Sequence, residues 1–242
     1  MAEFNLATEI VDLPSQGKLY PTDHPLASGK IEMKYMTAKE DDILSNQSYI
    51  TNGTVIDKLL KSLIVTKFDY NDLLIGDKNA IMIAARILGY GSEYEFTTIE
   101  GSQKVDLNTL DNKPLHETVE KATENNFEFT LPHSKHQITF KFLTHGDEQK
   151  IERELEGLKK LNKNSSADMS TRLKHVITSI DGEKDPPTIR KFVDQAFLAK
   201  DSRALREYIS QIQPDIDLTF FPEGRDTKRS LPITIGFFWP DA

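Results

Sequence analysis

KIEMKYMTAKEDDIL, from Lys30 to Leu44, is matched position for position by QITFKFLTHGDEQKI, from Gln137 to Ile151. Ile31 lies over Ile138, Lys34 over Lys141 and Thr37 over Thr144, an offset of 107 residues. The apolar positions keep step, Met33 with Phe140, Tyr35 with Phe142 and Met36 with Leu143. A second pair, LLIGDKNAI from Leu73 and FLAKDSRAL from Phe197, matches Leu74 to Leu198, Asp77 to Asp201 and Ala80 to Ala204 at an offset of 124, so the later copy carries an insertion. Self-similarity of this kind marks one supersecondary unit used twice, as in scaffolds whose halves pack or bind alike. The expected fold is α+β: two similar modules related by internal duplication, each a strand, then helices, then a β-hairpin.

Boundaries follow from the chain on either side. Pro14, Gly17, Pro21, Pro25 and Gly29 forbid a helix in the opening segment, because each proline fixes φ and lacks an N–H. Residues 1–29 are therefore expected to form an extended N-terminal arm, or a series of turns, lying along a neighbouring surface. Residues 30–120 form the first module and 121–242 the second, each large enough to bury a core of its own. Ile31 to Tyr35 alternates as a half-buried strand. The stripe Ile56, Leu59, Leu60, Leu63 and Ile64 makes a helix after Asn52-Gly53, and Asp77 is placed to cap the next one, which Gly89 and Gly91 end. Tyr94, Phe96 and Val105 predict a hairpin.

In the second module Phe127 to Phe142 reads as two strands around Pro132. The spacing then predicts helices over 147–161, 169–180, from Pro186 to Phe197, and from Asp201 to Pro214. NKNSSAD, residues 162–168, reads as a linker. Ile216 to Phe220 and Pro232 to Phe238 are expected to close the chain as a hairpin.

Composition narrows the chemistry. A net charge of −8 over 242 residues argues against general nucleic-acid binding, which needs a clustered positive field. No apolar run reaches the roughly 20 residues of a membrane span, and the first residues lack the pattern of a signal peptide, so a cytosolic protein is expected. The chain has no cysteine, which removes disulfides, thiolate metal ligands and cysteine nucleophiles. His133 and His136, with His145 nearby, lack the third or fourth ligand a zinc site needs and read as a solvated turn. The acidic groups Glu40-Asp41-Asp42 and Glu152 to Glu156 read as helix starts and outer faces. No phosphate loop, dinucleotide fingerprint, nucleophile elbow or HExxH motif occurs, and Gly89-Tyr90-Gly91 follows a helix where a phosphate loop precedes one. No enzyme activity, cofactor or metal is expected. The ends carry more: Phe237, Phe238 and Trp239 are either interface anchors or a closing core strand.

LPSQGKLYP (Leu13 to Pro21), GKIEMKYMTAKEDDIL, LLIGDKNAIMIAARILGYGSEYEF (Leu73 to Phe96) and FFWP (Phe237 to Pro240), in that order, resemble the baseplate hub and hub-assembly proteins of T-even-type contractile-tailed bacteriophages. Relatives in that family place paired cysteines, similar to small zinc ribbons, in the hairpins that correspond to 97–105 and 221–231. This chain has Thr98, Gly101, Pro222 and Gly224 there, so no such zinc is implied. The resemblance implies a structural part in the hub, within a hetero-oligomeric assembly of baseplate or tail proteins, first in the host cytoplasm and then in the virion tail. On that reading Leu13, Pro14, Leu19, Tyr20 and Pro21 of the arm, with Phe237, Phe238 and Trp239, contact partners. A tail assembly chaperone absent from the mature particle and a hub-associated cell-wall hydrolase are the alternatives.

Overall fold

The computed structural model describes residues 7–98, 101–161, 167–222, 227–233 and 235–239. Its elements are mixed helix and small antiparallel sheets. Strand β1 (Thr8–Asp12) pairs with β2 (Lys30–Lys34), Val11 opposite Ile31. The segment joining them folds back on itself. The Leu13 amide donates to the Gly29 carbonyl at 2.8 Å, and a 3₁₀ turn, Pro25–Ser28, is capped by the His24 ring. Gly17 has φ +76°, and a Cβ there would lie 2.3 Å from the Ala27 carbonyl oxygen, so only glycine lets the two limbs of the loop meet.

The prolines exclude an α-helix here, and past β1 the segment is the series of turns, with one 3₁₀ turn, and not the extended arm. Leu13, Leu19, Tyr20 and Leu26 are all buried, and enclosing four large apolar side chains outweighs leaving the segment loose.

Helices α1 (Ala38–Leu44), α2 (Gln47–Thr51), α3 (Val55–Leu63) and α4 (Ile75–Tyr90) follow. Thr37 and Glu40 close a reciprocal capping box on α1. In α3 the residues Leu59, Leu60 and Leu63 are buried on one stripe. Helix α4 runs through Gly89 and stops at Gly91, φ +81°. Gly89 serves packing instead: a Cβ on it would come within 2.3 Å of the Met36 sulfur. The hairpin β3 (Glu93–Thr98) and β4 (Gly101–Asp106) sets Tyr94 opposite Val105, and a single turn, α5 (Glu117–Glu120), precedes the second half.

There β5 (Phe127–Thr130), β6 (Gln137–Phe140) and β7 (Ile177–Ile180) form a three-stranded sheet. Helices α6 (His145–Leu161) and α7 (Asp168–Val176) stand between the last two strands, and α8 (Pro186–Gln195) and α9 (Ala199–Ile212) follow. The short pair β8 (Thr219–Phe220) and β9 (Arg229–Ser230) comes next.

Two expectations are corrected. The helix over 169–180 ends at Val176, and Ile177–Ile180 is a strand. Its apolar spacing suits a helix, but β6 has a free edge, and the run Val176-Ile177-Thr178 is β-branched and fits a pleated surface. The ladder continues past the strand, Lys141 amide to Val176 carbonyl and Asp181 amide to Gln137 carbonyl. The closing hairpin is also different: β8 pairs with 229–230, and Ile235–Phe237 is a 3₁₀ turn. A strand would send Phe237 and Phe238 to opposite faces. Both are buried, so the turn places them side by side, ring centroids 5.0 Å apart.

Residues on either side of position 120 meet through backbone hydrogen bonds. The Ile75 amide donates to Leu143, His145 to Leu73, Lys113 to Asp215 and Asp217 to Asp111. Gly76 permits this approach, since a Cβ on it would sit 1.9 Å from the Pro214 carbonyl oxygen. No helix among the described residues is long and apolar enough to cross a membrane.

Candidate partner-binding groove

Two similar clamps fix the scaffold that carries the groove. Asp77 was expected to cap its helix and Asp201 to begin one, yet the N-cap positions are Leu74 and Leu198. Each carboxylate, one turn inside its helix and fully buried, reaches out to a turn that follows a Leu-Pro pair. Asp77 accepts from the Ser15 amide (2.9 Å), the Ser15 hydroxyl (2.7 Å) and the Tyr20 hydroxyl (2.7 Å). Asp201 accepts from the His133 and Ser134 amides at 2.8 and 2.9 Å.

The electrostatic outcomes differ. Burial pushes the Asp77 carboxyl up, the hydrogen bonds from Ser15 and Tyr20 only partly offset this, and nearby Asp215 adds to the rise. Burial also raises Asp201, but the hydrogen bonds from His133 and Ser134 outweigh it and hold that carboxyl below its usual range. Tyr20, pushed up mainly by burial and then by Asp77, stays protonated and accepts from the Leu74 amide at 3.1 Å.

A second recurring arrangement lies at the start of α1 and of α6. Lys34 reaches Glu40 at 2.8 Å while Thr37 donates to Glu40 through its amide and hydroxyl. Lys141 reaches Asp147 at 2.6 Å while Thr144 donates to Asp147 through the same two groups. Glu40 is therefore no outward-facing carboxylate: it is fully buried and also accepts from the Ser62 hydroxyl at 2.6 Å. Burial would raise it, but the hydrogen bonds from Lys34, Ser62 and Thr37 draw it down to about 2. Glu154 is likewise engaged, held by Nη1 and Nη2 of Arg190 (2.6 and 2.8 Å) and by His175.

Among the side chains expected to contact partners, Leu13, Pro14, Leu19, Tyr20, Phe237 and Phe238 are buried within the chain itself. Pro21 is exposed and Trp239 half-buried. The two sets are not brought together as one surface. Tyr20 of the arm bonds Asp77 and Leu74 at the start of α4, and the aromatic segment packs on Tyr94 and Leu44: Phe237 meets the Tyr94 ring edge-on at 4.9 Å, and the Trp239 indole N–H donates to the Leu44 carbonyl at 3.1 Å.

That hydrogen bond forms one wall of an open apolar groove of about 660 Å³. Leu44, Ile50, Val55, Ile56, Met82, Ile233, Phe238 and Trp239 are among the residues that line it. Ile50 is 38% exposed in it, and a Cβ at Gly53 would meet nothing within 4 Å. Such a surface has van der Waals contact and desolvation to offer, and a large aromatic is the side-chain type most enriched at binding hot spots. Trp239 was legible from the sequence, but the groove was not. It draws on α1, α2, α3, α4 and the last described segments, and no local pattern marks it, because Ile56, half-buried here, carries the same helical spacing as the buried Leu59, Leu60 and Leu63.

The histidines separate. His133 lends its amide to Asp201, the His136 ring lies 2.6 Å from Asp181, and His145 is buried at the head of α6 against Tyr70 and Gln149. Among the described residues no three His, Asp or Glu side chains are grouped to hold a metal ion. No family model, curated protein or solved structure matches the chain.

Proposed function

We propose that this chain is a structural subunit of a contractile phage tail, which enters the baseplate hub by protein–protein contact at the groove that Trp239 lines. The groove is the observation that carries the reading: an exposed apolar channel suits an apolar segment of another protein, and it lies beside the FFW residues through which the sequence resembles hub proteins. The proposal includes an internally duplicated scaffold. Supporting it are the lysine–threonine–acid arrangement at an offset of 107 residues and the aspartate clamp on a Leu-Pro turn, each present twice. Buried charges used in this way hold backbone turns in place, and a stiff spacer between partners needs that rigidity. The partners would be hub, wedge or tail proteins, met in the host cytoplasm and kept in the virion.

The test is mass spectrometry of purified particles. The expected result is this chain in fixed stoichiometry, with Ile50→Glu folded to the same melting temperature but missing from the particles. A parent chain found during assembly and absent from finished particles would favour the chaperone reading. Ile50→Glu incorporated at the parent level would remove the groove from the proposal.

A further inference from the structure

A second cavity, of about 380 Å³, lies between α7 and α9. Its floor is aliphatic, made by Leu143, Leu173, Val176 and Ile209, of which Leu173 and Val176 are buried. Its mouth is cationic. Lys113, from the segment before α5, and Arg206, from α9, both border it, and among the described residues neither side chain has a hydrogen-bond or ion-pair partner. Arg172 also borders the cavity but is held by Glu148 at 2.6 Å and Asp168 at 3.3 Å, so its charge is already answered.

The acid in the lining is Asp215, whose Oδ1 accepts from the Asn79 amide group at 3.0 Å and from the Ile216 N–H at 2.9 Å. Burial pushes that carboxyl up, and the Asn79 hydrogen bond and the charge of Lys113 draw it back only in part. Arg206 lies in the middle of α9, outside the last turn where the helix dipole would favour a cation, and Lys113 borders the same cavity from another part of the chain.

We propose that this cavity binds a small amphipathic anion: an apolar body on the floor, and one carboxylate or sulfonate head between Lys113 and Arg206. The volume lies at the lower end of the ~300–1,000 Å³ usual for ligand sites, which fits a single small molecule. On a chain of net charge −8, two cations without a contact ion pair, one of them acting on Asp215 only at longer range, border an aliphatic floor, and the chemical complement of that arrangement is a molecule apolar at one end and anionic at the other. The inference stands apart from the hub reading, since it concerns a different cavity and a different class of ligand.

The probe is decanoate, titrated calorimetrically below its micelle concentration into the full chain, with uncharged decanol as the matched control. Saturable one-to-one binding with Kd below ~1 mM is expected. The charge reversal Lys113→Glu/Arg206→Glu should weaken it at least ~10-fold with an unchanged melting temperature. Met169→Asp, which places an anion at the exposed rim, should weaken it too, and added salt should reduce the parent's affinity. Ile50→Glu, in the other groove, should leave binding as it is. Failure of decanoate to saturate the chain would overturn the proposal. So would decanol binding as tightly, decanoate affinity unchanged by the charge reversal, or binding lost in Ile50→Glu.

Discussion

Replacing each buried clamp aspartate by asparagine separates two kinds of hydrogen-bond donor. At Asp201 both partners are backbone amides, His133 and Ser134, and an amide can only donate. Asparagine supplies one carbonyl oxygen and one NH₂, so one of the two amides faces a donor. Leaving it unsatisfied in a closed site costs about 1–3 kcal/mol, and the surviving bond weakens as its acceptor loses charge. The expected loss for Asp201→Asn is about 3 kcal/mol, or a melting temperature lower by roughly 6–12 °C for a chain of this size.

At Asp77 the partners are one amide and two hydroxyls. The new carbonyl keeps the Ser15 amide, and the NH₂ meets hydroxyl oxygens, which accept as well as donate. The substitution also removes a carboxylate whose charged form burial and Asp215 disfavour. The expected loss for Asp77→Asn is about 1 kcal/mol. Urea unfolding followed by circular dichroism measures both variants. Equal losses, or a larger loss at Asp77, would refute the argument that donor geometry decides the cost.

Two further outcomes follow from the same packing. Glu40 is held at about 2 in the fold against an ordinary value of 4.5, so its contribution to stability is present above pH 4.5 and lost as pH falls towards 2. Glu40→Gln should therefore flatten that part of the stability–pH curve and lower stability at pH 7; a parallel acid limb in the variant would count against it. Gly76→Ala puts a methyl group 1.9 Å from the Pro214 carbonyl oxygen, a backbone contact that no side-chain rotation relieves. Overpacking of this kind costs about 1–3 kcal/mol, and thermal melting would expose a misjudged contact if Tm did not move.

Local signals carried most of the elements. Alternation located β2, β3 and β5, the leucine stripe located α3, and Pro186-Pro187 opened α8 where expected. The failures share one cause. Leu173, Val176, Ile177 and Ile180 have helical spacing, and the strand won because β6 offered a free edge 37 residues earlier in the chain, Thr139 pairing with Ser179 and Phe140 with Ile177. Phe237 and Phe238 looked like strand or anchor, and a turn won because it seats Phe237 on Tyr94 and Phe238 on Phe237. Glu40 reads as a helix-start acid and is one, but only the approach of Ser62 and Lys34 makes it a buried acceptor.

The residue order alone determined that this is a mixed α+β chain with no cysteine chemistry and two stretches that echo each other, because strand and helix periods and the recurring Lys-x-x-Thr spacing are properties of neighbouring residues. Where the proline-rich opening goes, which aromatics remain exposed and where apolar or cationic cavities form was decided by the tertiary structure. Those outcomes depend on surfaces contributed by segments a hundred or more residues apart, as when Trp239 meets Leu44 or Lys113 meets Asp215, and no local period encodes such a meeting.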